Sequence, residues 1–142
     1  MSALEQLVRL HSWTLDERRR KVADLEQLQE RLKADLARID AELAREEKTA
    51  SGSLELQVAF NAYAAIARRR REKISNSIVD VAHEIQRARD EVAAAFQDLK
   101  RYEQALANRR AREAERLRRR EQAASDELGI ELFRRNHARG GG

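Results

Sequence analysis

The 142-residue chain has no cysteine and no proline, and aromatic residues make up only 4% of it. Without cysteine there is no disulfide, no thiolate nucleophile and no cysteine-based metal site. Glycine is also scarce: three of the five glycines are the last three residues, and Gly52 is the only one before residue 129. The abundant residues are Ala, Glu, Arg, Leu and Gln, which lose little rotamer freedom in a helix. The composition therefore predicts an all-α protein built from long helices or a coiled coil.

Several functional classes lack support in the sequence. No apolar run approaches the roughly 18 residues of a membrane span. Glu5 and Arg9 interrupt the first ten residues, so no signal peptide is expected. The three histidines are far apart, and the HExxH, P-loop and nucleophile-elbow motifs are missing. We expect a cytoplasmic protein that is not an enzyme, with no catalytic residue, no metal and no cofactor.

A heptad repeat of apolar residues runs along most of the chain, in two series on either side of Gly52. Apolar residues recur at steps of three and four, as at the a and d positions of a coiled-coil seam. Of 26 seam positions 22 are apolar, where the composition alone would give about 11. The first series is Met1, Leu4, Val8, His11, Leu15, Arg18, Val22, Leu25, Gln29, Leu32, Leu36, Ile39 and Leu43. The second is Phe60, Ala64, Ala67, Arg71, Ile74, Ile78, Val81, Ile85, Ala88, Val92, Ala95, Leu99 and Tyr102.

The stretch TASGS, Thr49 to Ser53, is the one interruption of this pattern. Glycine tolerates the left-handed conformation that ends many helices, and Ser51 or Ser53 is a suitable cap for the next helix. The sequence therefore predicts two long helices that form one antiparallel coiled-coil hairpin over residues 1–142, the second helix extending past the first. The first helix spans about 2–49, the turn about 50–53, the second helix about 54–135, and a disordered tail covers 136–142.

Two registers of the hairpin satisfy the seam. If the numbers of facing residues sum to 103, every a position faces a d position, and Leu25 lies opposite Ile78. A register shifted by one heptad also fits but needs a longer turn. We expect the 103 register in a monomer, with a dimer of two chains as the alternative. The second helix then continues past Tyr102 for some thirty residues, roughly 45–50 Å, without a partner in the chain.

Polar residues within or beside the seam are expected to fix the register. Arg18, Gln29 and Arg71 are the seam candidates, at some cost in stability. His11 is expected to face Val92 within the seam, as a neutral imidazole or a register marker. The run Arg68 to Arg71 is expected to pair with Asp35, Asp40 and Glu42 of the first helix.

The net charge of +4 lies entirely in the last third of the chain, since residues 1–50 carry −1, residues 51–100 carry +1 and residues 101–142 carry +4. Seven of the basic residues fall in one stretch: Arg109, Arg110, Arg112, Arg116, Arg118, Arg119 and Arg120. Three glutamates and no aromatic residue stand among them, which argues against phosphate contacts and base stacking. A solvated helix with internal Glu–Arg pairs is the simplest alternative. We favour a helix that docks against an acidic or polar protein cavity.

Trp13 is a further candidate for partner binding. It occupies an f position, facing away from the seam, and forms a second apolar stripe with Leu7 and Leu10. Exposed stripes of this kind often mark a contact surface. The alternative is a tryptophan that lies across aliphatic side chains of its own helix.

The chain resembles the FliJ family of flagellar export proteins, soluble components of type III export machines, over nearly its whole length. The resemblance rests on the two-helix layout around Gly52 and on the aromatic pair Phe60 and Tyr63 soon after it. It rests also on the segment ARDEVAAAFQDLKRYEQALANRR, the arginine-rich helix and the late Asp126–Glu127 pair. Phe96 is a departure, because the family often has tryptophan or another large aromatic there.

The resemblance implies a fold similar to the central stalk subunit of rotary ATPases. It implies a non-catalytic protein that binds and activates the hexameric export ATPase ring and contacts the export gate membrane protein and the export chaperones. Phe60 and Tyr63 join Trp13 and the seven arginines as expected partner-binding residues. The protein would be associated with the inner-membrane export apparatus only through its partners and would not bind nucleic acid. A generic coiled-coil scaffold and a basic-helix nucleic-acid-binding protein are the alternatives.

Overall fold

The structure, a computed structural model, describes residues 2–140 and consists of two long α-helices. Helix α1 spans Ala3–Ala50 and helix α2 spans Leu54–Gly140, with no strand among the described residues. Ser2 caps α1, because the backbone N–H of Glu5 donates to the Ser2 hydroxyl over 3.2 Å. The predicted all-α fold of two long helices that pack against each other is confirmed.

Three residues, 51–53, join the two helices, and serine hydroxyls satisfy the helix ends on both sides. The backbone N–H of Leu56 donates to the Ser53 hydroxyl over 3.1 Å, so Ser53 is the N-cap of α2. The Ser51 hydroxyl donates to the carbonyl of Lys48 over 2.7 Å, and this supplies a partner for one of the last carbonyls of α1.

Gly52 does not use the conformational freedom that the sequence suggested. No described glycine has a positive φ, so the expectation that a left-handed glycine ends α1 is wrong. A Cβ atom built on Gly52 would lie 3.8 Å from the carbonyl oxygen of Thr49, which is ordinary contact. The serine hydrogen bonds make the turn instead, with φ values that any residue can adopt.

Helix α2 continues to Gly140, five residues beyond its predicted end at 135. The predicted tail 136–142 is therefore helical over 136–140, and residues 141 and 142 lie outside the described residues. No proline stops the helix here, and His137 and Arg139 place basic side chains in its last turn, where they favour the exposed carbonyl ends. The ring of His137 also stacks on Phe133, with centroids 4.7 Å apart.

The described residues form two compact units. The smaller one joins the residues up to Leu10 with those from Asp98 onwards, and the larger one is His11–Gln97. In the larger unit the buried residues are Leu15, Ile39, Ala50, Ala64, Ala67, Val81, Ile85, Ala88 and Ala95. In the smaller unit Leu99 is buried, and Leu4, Val8, Tyr102 and Leu106 are half-buried.

The heptad assignment is confirmed by burial. The structure describes 25 of the 26 predicted seam positions, Met1 lying outside the described residues, and 23 of these are buried or half-buried. The two exposed positions are Arg18 and Arg71, whose long side chains carry their charge out to solvent.

The register differs from the expected one by one heptad. In the larger unit, Nη2 of Arg89 lies 3.1 Å from Oε1 of Glu26. In the 103 register Arg89 would face Thr14, twelve residues or about 18 Å along the helix from Glu26, which the two side chains cannot span. In the alternative register, the numbers of facing residues sum to 110, and we call it the 110 register. There Arg89 faces Lys21, which is only five residues from Glu26.

Two further ion pairs between the helices agree with the 110 register. In the larger unit, Nε of Arg71 lies 2.6 Å from Oδ1 of Asp40. In the smaller unit, Nη2 of Arg110 lies 3.5 Å from Oε1 of Glu5, at the same offset as Arg89 and Glu26.

Two consequences follow for the hairpin. Leu25 lies opposite Ile85 and not opposite Ile78, so the predicted pair is wrong. The longer turn that this register requires is itself helical: Ala50 and Phe60 are the first facing pair, and residues 54–59 form the first turns of α2 beyond it.

Candidate protein-interaction site

The arginine-rich part of α2 is exposed to solvent. Every described residue from Ala107 to Gly140 is exposed except Glu115, which is half-buried. Leu106 is the last half-buried apolar residue before it, in agreement with the loss of the heptad pattern in the sequence. All seven arginines named from the sequence lie in this exposed part.

Three of these arginines are held by glutamates on their own helix. Arg118 and Arg119 both reach Oε1 of Glu115, at 2.7 Å and 3.2 Å. Nε of Arg109 lies 3.3 Å from Oε1 of Glu113, four residues further on. The internal Glu–Arg pairing that the sequence suggested as an alternative therefore accounts for part of the stretch.

Arg110 is held by the other helix. Its contact with Glu5 overturns the expectation that this part of α2 has no partner in the chain. The cause is the shifted register, which brings the start of α1 opposite the turn of α2 that contains Arg110. A variant that removes this guanidinium would therefore disturb the hairpin as well as the basic surface.

The remaining three arginines, Arg112, Arg116 and Arg120, form what we call the arginine stripe. Among residues 2–140, no carboxylate oxygen lies within 4.0 Å of any of their guanidinium nitrogens. They are spaced four apart, so they lie along one face of α2 over about 12 Å. The stripe therefore offers three positive charges that no carboxylate of the described chain neutralises.

Two of the other arginines share the carboxylate of Glu115. The hydrogen bond from Arg118 lowers the pKa of Glu115 below its ordinary value, partial loss of hydration opposes this, and the bond from Arg119 adds to it. The pKa of Arg118 is raised in turn by the same carboxylate. Both cations are engaged with Glu115 and are less available to an incoming partner.

A groove of about 700 Å³ lies at the turn end of the larger unit. Phe60 is half-buried and Tyr63 is 37% exposed, and both line the groove together with Ala50 and Leu56. The Tyr63 hydroxyl donates to Oε2 of Glu42 over 3.2 Å. The pKa of Tyr63 is raised above 10.0, first because partial burial disfavours the phenolate and second because of the bond to Glu42.

Trp13 lies in the larger unit and is 62% exposed, in keeping with its outward f position. Leu7 and Leu10 of the smaller unit are also exposed. Large apolar side chains that face solvent are typical of contact surfaces, and the binding role of Trp13 stays a prediction.

Two other expectations from the sequence are met in part: the ion pairs of Arg68 to Arg71 with α1 and the position of His11. Of the run Arg68 to Arg71, the ion pair with α1 within the described residues is that of Arg71 with Asp40. His11 is half-buried, as expected of a seam residue, but its expected partner Val92 is wrong, because the 110 register places Arg18 opposite Val92.

Neither a metal centre nor a membrane span is found in the part of the chain that the structure describes. No group of three or more His, Asp or Glu side chains within residues 2–140 is placed to hold a metal ion. No described helix contains a stretch that is long and apolar enough to cross a bilayer.

Comparison with known proteins adds the deciding observation to this geometry. The family model described as Flagellar FliJ protein matches residues 1–138. The chain belongs to the FliJ family. Membership makes this FliJ-family chain a coiled-coil protein associated with flagellar export, and it fits the expectation of a non-catalytic component. No curated protein and no solved structure matches the chain.

Proposed function

We propose that this FliJ-family protein binds and activates the hexameric ATPase of the export apparatus, and that the arginine stripe is its contact surface. The observation that carries the proposal is that Arg112, Arg116 and Arg120 stand free on one face of an exposed helix. Their neighbours in the same stretch are neutralised by carboxylates of the chain. A stripe of this kind is suited to an acidic surface on a partner.

The chemistry of the stripe supports a protein partner. Positive charge that is not cancelled locally accelerates encounter with an acidic surface. Guanidinium groups then bind carboxylates in a bidentate geometry that lysine cannot reproduce. No aromatic side chain lies between Arg109 and Arg120 to stack on nucleic-acid bases.

The export gate and the export chaperones are the further partners in this proposal. The groove beside Phe60 and Tyr63 and the exposed Trp13 are the surfaces we assign to them, because both combine aromatic and apolar area with solvent access. The protein would then be cytoplasmic and held at the inner membrane through the gate.

The test uses the full chain with the export ATPase of the same cell. We expect the triple variant Arg112→Gln, Arg116→Gln, Arg120→Gln to reduce the association rate and the stimulation of ATP hydrolysis roughly tenfold at low salt. The reason is that three exposed charge contacts are each worth under about 1 kcal/mol and together about 1–2 kcal/mol. The effect should shrink as salt screens the charges.

The matched control is Arg118→Gln with Arg119→Gln. It removes two cations from the same exposed helix, but both are already engaged with Glu115, so stimulation should stay near that of the unmodified chain. Equal stimulation by the triple variant and the unmodified chain at low salt would contradict the assigned surface. A chain that binds the ATPase without stimulating it would favour a plain scaffold.

A further inference from the structure

The apolar seam does not choose between the two registers of the hairpin. In the observed 110 register nine facing layers pair an apolar residue with an apolar residue, and the 103 register also gives nine. Ile85 and Ile78, for example, are equally suitable partners for Leu25. Something other than these apolar layers must therefore hold the helices in the register they adopt.

The charged residues that flank the seam distinguish the 110 register from the 103 register. Three ion pairs occupy flanking positions in the structure: Arg89 with Glu26, Lys21 with Glu91 and Arg110 with Glu5. The sequence places two further opposite charges at equivalent offsets, Glu42 with Arg70 and Glu47 with Arg68. Sliding by one heptad would displace the helices by about 10 Å and separate all five.

At the equivalent flanking positions, the 103 register would form three opposite-charge pairs with other partners: Lys21 with Glu84, Arg68 with Asp40 and Arg70 with Asp35. It would also set two pairs of like charge side by side, Arg89 with Arg19 and Glu5 with Glu103. Glu26 would stand beside Ala82 and Ser75, neither of which carries a charge. The pattern of signs therefore favours the 110 register, which has five opposite-charge pairs and none of like charge at these flanking positions.

In the larger unit, Glu91 makes two of the contacts that depend on the register. Its Oε2 lies 3.6 Å from Nζ of Lys21 and 3.7 Å from Nη1 of Arg18. The same oxygen is shielded from solvent and accepts no hydrogen bond in the described chain. A slide would take both cations away from this carboxylate, whose side chain is 43% exposed, so two partly solvated ion contacts would be lost.

We propose that ion pairs along the seam, and not its apolar layers, set the register, and that the chain has a second register, one heptad away, which it populates when the pairs are broken. The second register would place Phe60 opposite Leu43 in place of Ala50 and so remake the groove at the turn. A ligand that fills the groove or competes for the flanking charges would shift the balance between the two registers. This inference does not depend on the proposed ATPase contact.

Cysteine cross-linking tests it on a background that has no cysteine of its own. In the unmodified charge background, Leu25→Cys with Ile85→Cys should form an intrachain disulfide, and Leu25→Cys with Ile78→Cys should not. A disulfide needs Cα atoms within about 7 Å, and a one-heptad offset separates the second pair by about 10 Å.

The register should switch when the flanking signs are changed. Adding Lys21→Gln and Glu26→Lys removes two pairs and sets a new positive charge at position 26 against Arg89, whereas in the 103 register position 26 meets only neutral neighbours. We expect the 25–78 disulfide to form at least tenfold faster than without the charge changes, and the 25–85 disulfide to form at least tenfold more slowly. Adding Arg89→Glu should restore the 25–85 disulfide by swapping the charges of that pair.

The matched control is Glu17→Lys with Arg20→Gln. This makes the same two kinds of charge change on the same helix, but at an ion pair that does not reach α2, so both cross-linking rates should stay unchanged. A charge variant that remains a helical monomer by circular dichroism and sedimentation, and still closes only the 25–85 disulfide, overturns the proposal. So does a helical monomer that closes neither disulfide.

Discussion

The phenol of Tyr63 joins α2 to α1 through one hydrogen bond to Glu42. Partial burial disfavours the phenolate, and the hydrogen bond to Glu42 and the negative charges of Glu42 and Glu46 add to this effect, so the pKa of Tyr63 is raised. Tyr102 is the other tyrosine of the chain. A single substitution there leaves Tyr63 as the sole phenol that can be followed by absorbance.

We predict that in a Tyr102→Phe background Tyr63 ionises above pH 10.0 in the folded protein, and nearer its ordinary value when Glu42→Gln is added. A raised folded-state pKa means that the contribution to stability is present below the unfolded pKa and is lost as pH rises through the folded pKa. Absorbance titration at about 295 nm gives the midpoint. Identical midpoints with and without Glu42 would show that the hydrogen bond does not form.

The sequence predicts which arginines are exposed but not which are free. Glu115 has Arg112, Arg118 and Arg119 within three or four residues, and Glu113 has Arg109, Arg110 and Arg116. Each pairing is worth only a few tenths of a kcal/mol, so spacing alone does not rank them. Side-chain geometry decides which arginine pairs with each glutamate. The arginine stripe is therefore identified from the structure and not from the spacing.

The turn between α1 and α2 is an element held by hydroxyl groups. Ser53 satisfies an N–H at the start of α2 and Ser51 satisfies a carbonyl at the end of α1. Gly52 between them has neither a positive φ nor a close neighbour that a methyl group would strike. The hydroxyl groups of Ser51 and Ser53, and not Gly52, therefore stabilise the turn.

We predict that Ser53→Ala lowers the free energy of unfolding by about 1 kcal/mol through loss of the N-cap. Gly52→Ala should leave it unchanged or raise it by about 0.4–1 kcal/mol, because alanine reduces the entropy of the unfolded chain. Urea denaturation of the two variants beside the unmodified protein measures both. A loss of more than about 1 kcal/mol in Gly52→Ala would mean that the turn needs glycine after all.

The seam and the approximate helix bounds could be predicted from the sequence, but the predicted register was wrong. Apolar spacing repeats every seven residues, so it predicts the buried face of each helix but is unchanged when one helix slides by seven. The expectation of a short turn at Gly52 then selected the wrong alternative. The signs of residues such as Glu26 and Arg89 carried the missing information.

At the scale of the whole molecule, one chain supplies both sides of the seam. The three-residue connection brings α2 back along α1, and ion pairs between the helices occur in both compact units. An assembly of two chains would bury the same seam but would form by mass action. The two possibilities differ in their response to dilution.

We predict a monomer whose thermal midpoint does not change over about a hundredfold range of concentration. For a dimer the same range would alter the apparent stability by about 2.7 kcal/mol. Circular dichroism melts and sedimentation equilibrium of the full chain measure the two quantities. A midpoint that rises steadily with concentration would establish the two-chain alternative.

The three-residue connection has a practical consequence for work in living cells. Its residues are exposed, and Gly52 contributes neither a required φ nor a close contact. Exposed polar connections of this kind accept inserted segments well. A short epitope placed beside Gly52 would therefore leave both termini and the arginine stripe untouched, and it would stand next to the groove of Phe60 and Tyr63.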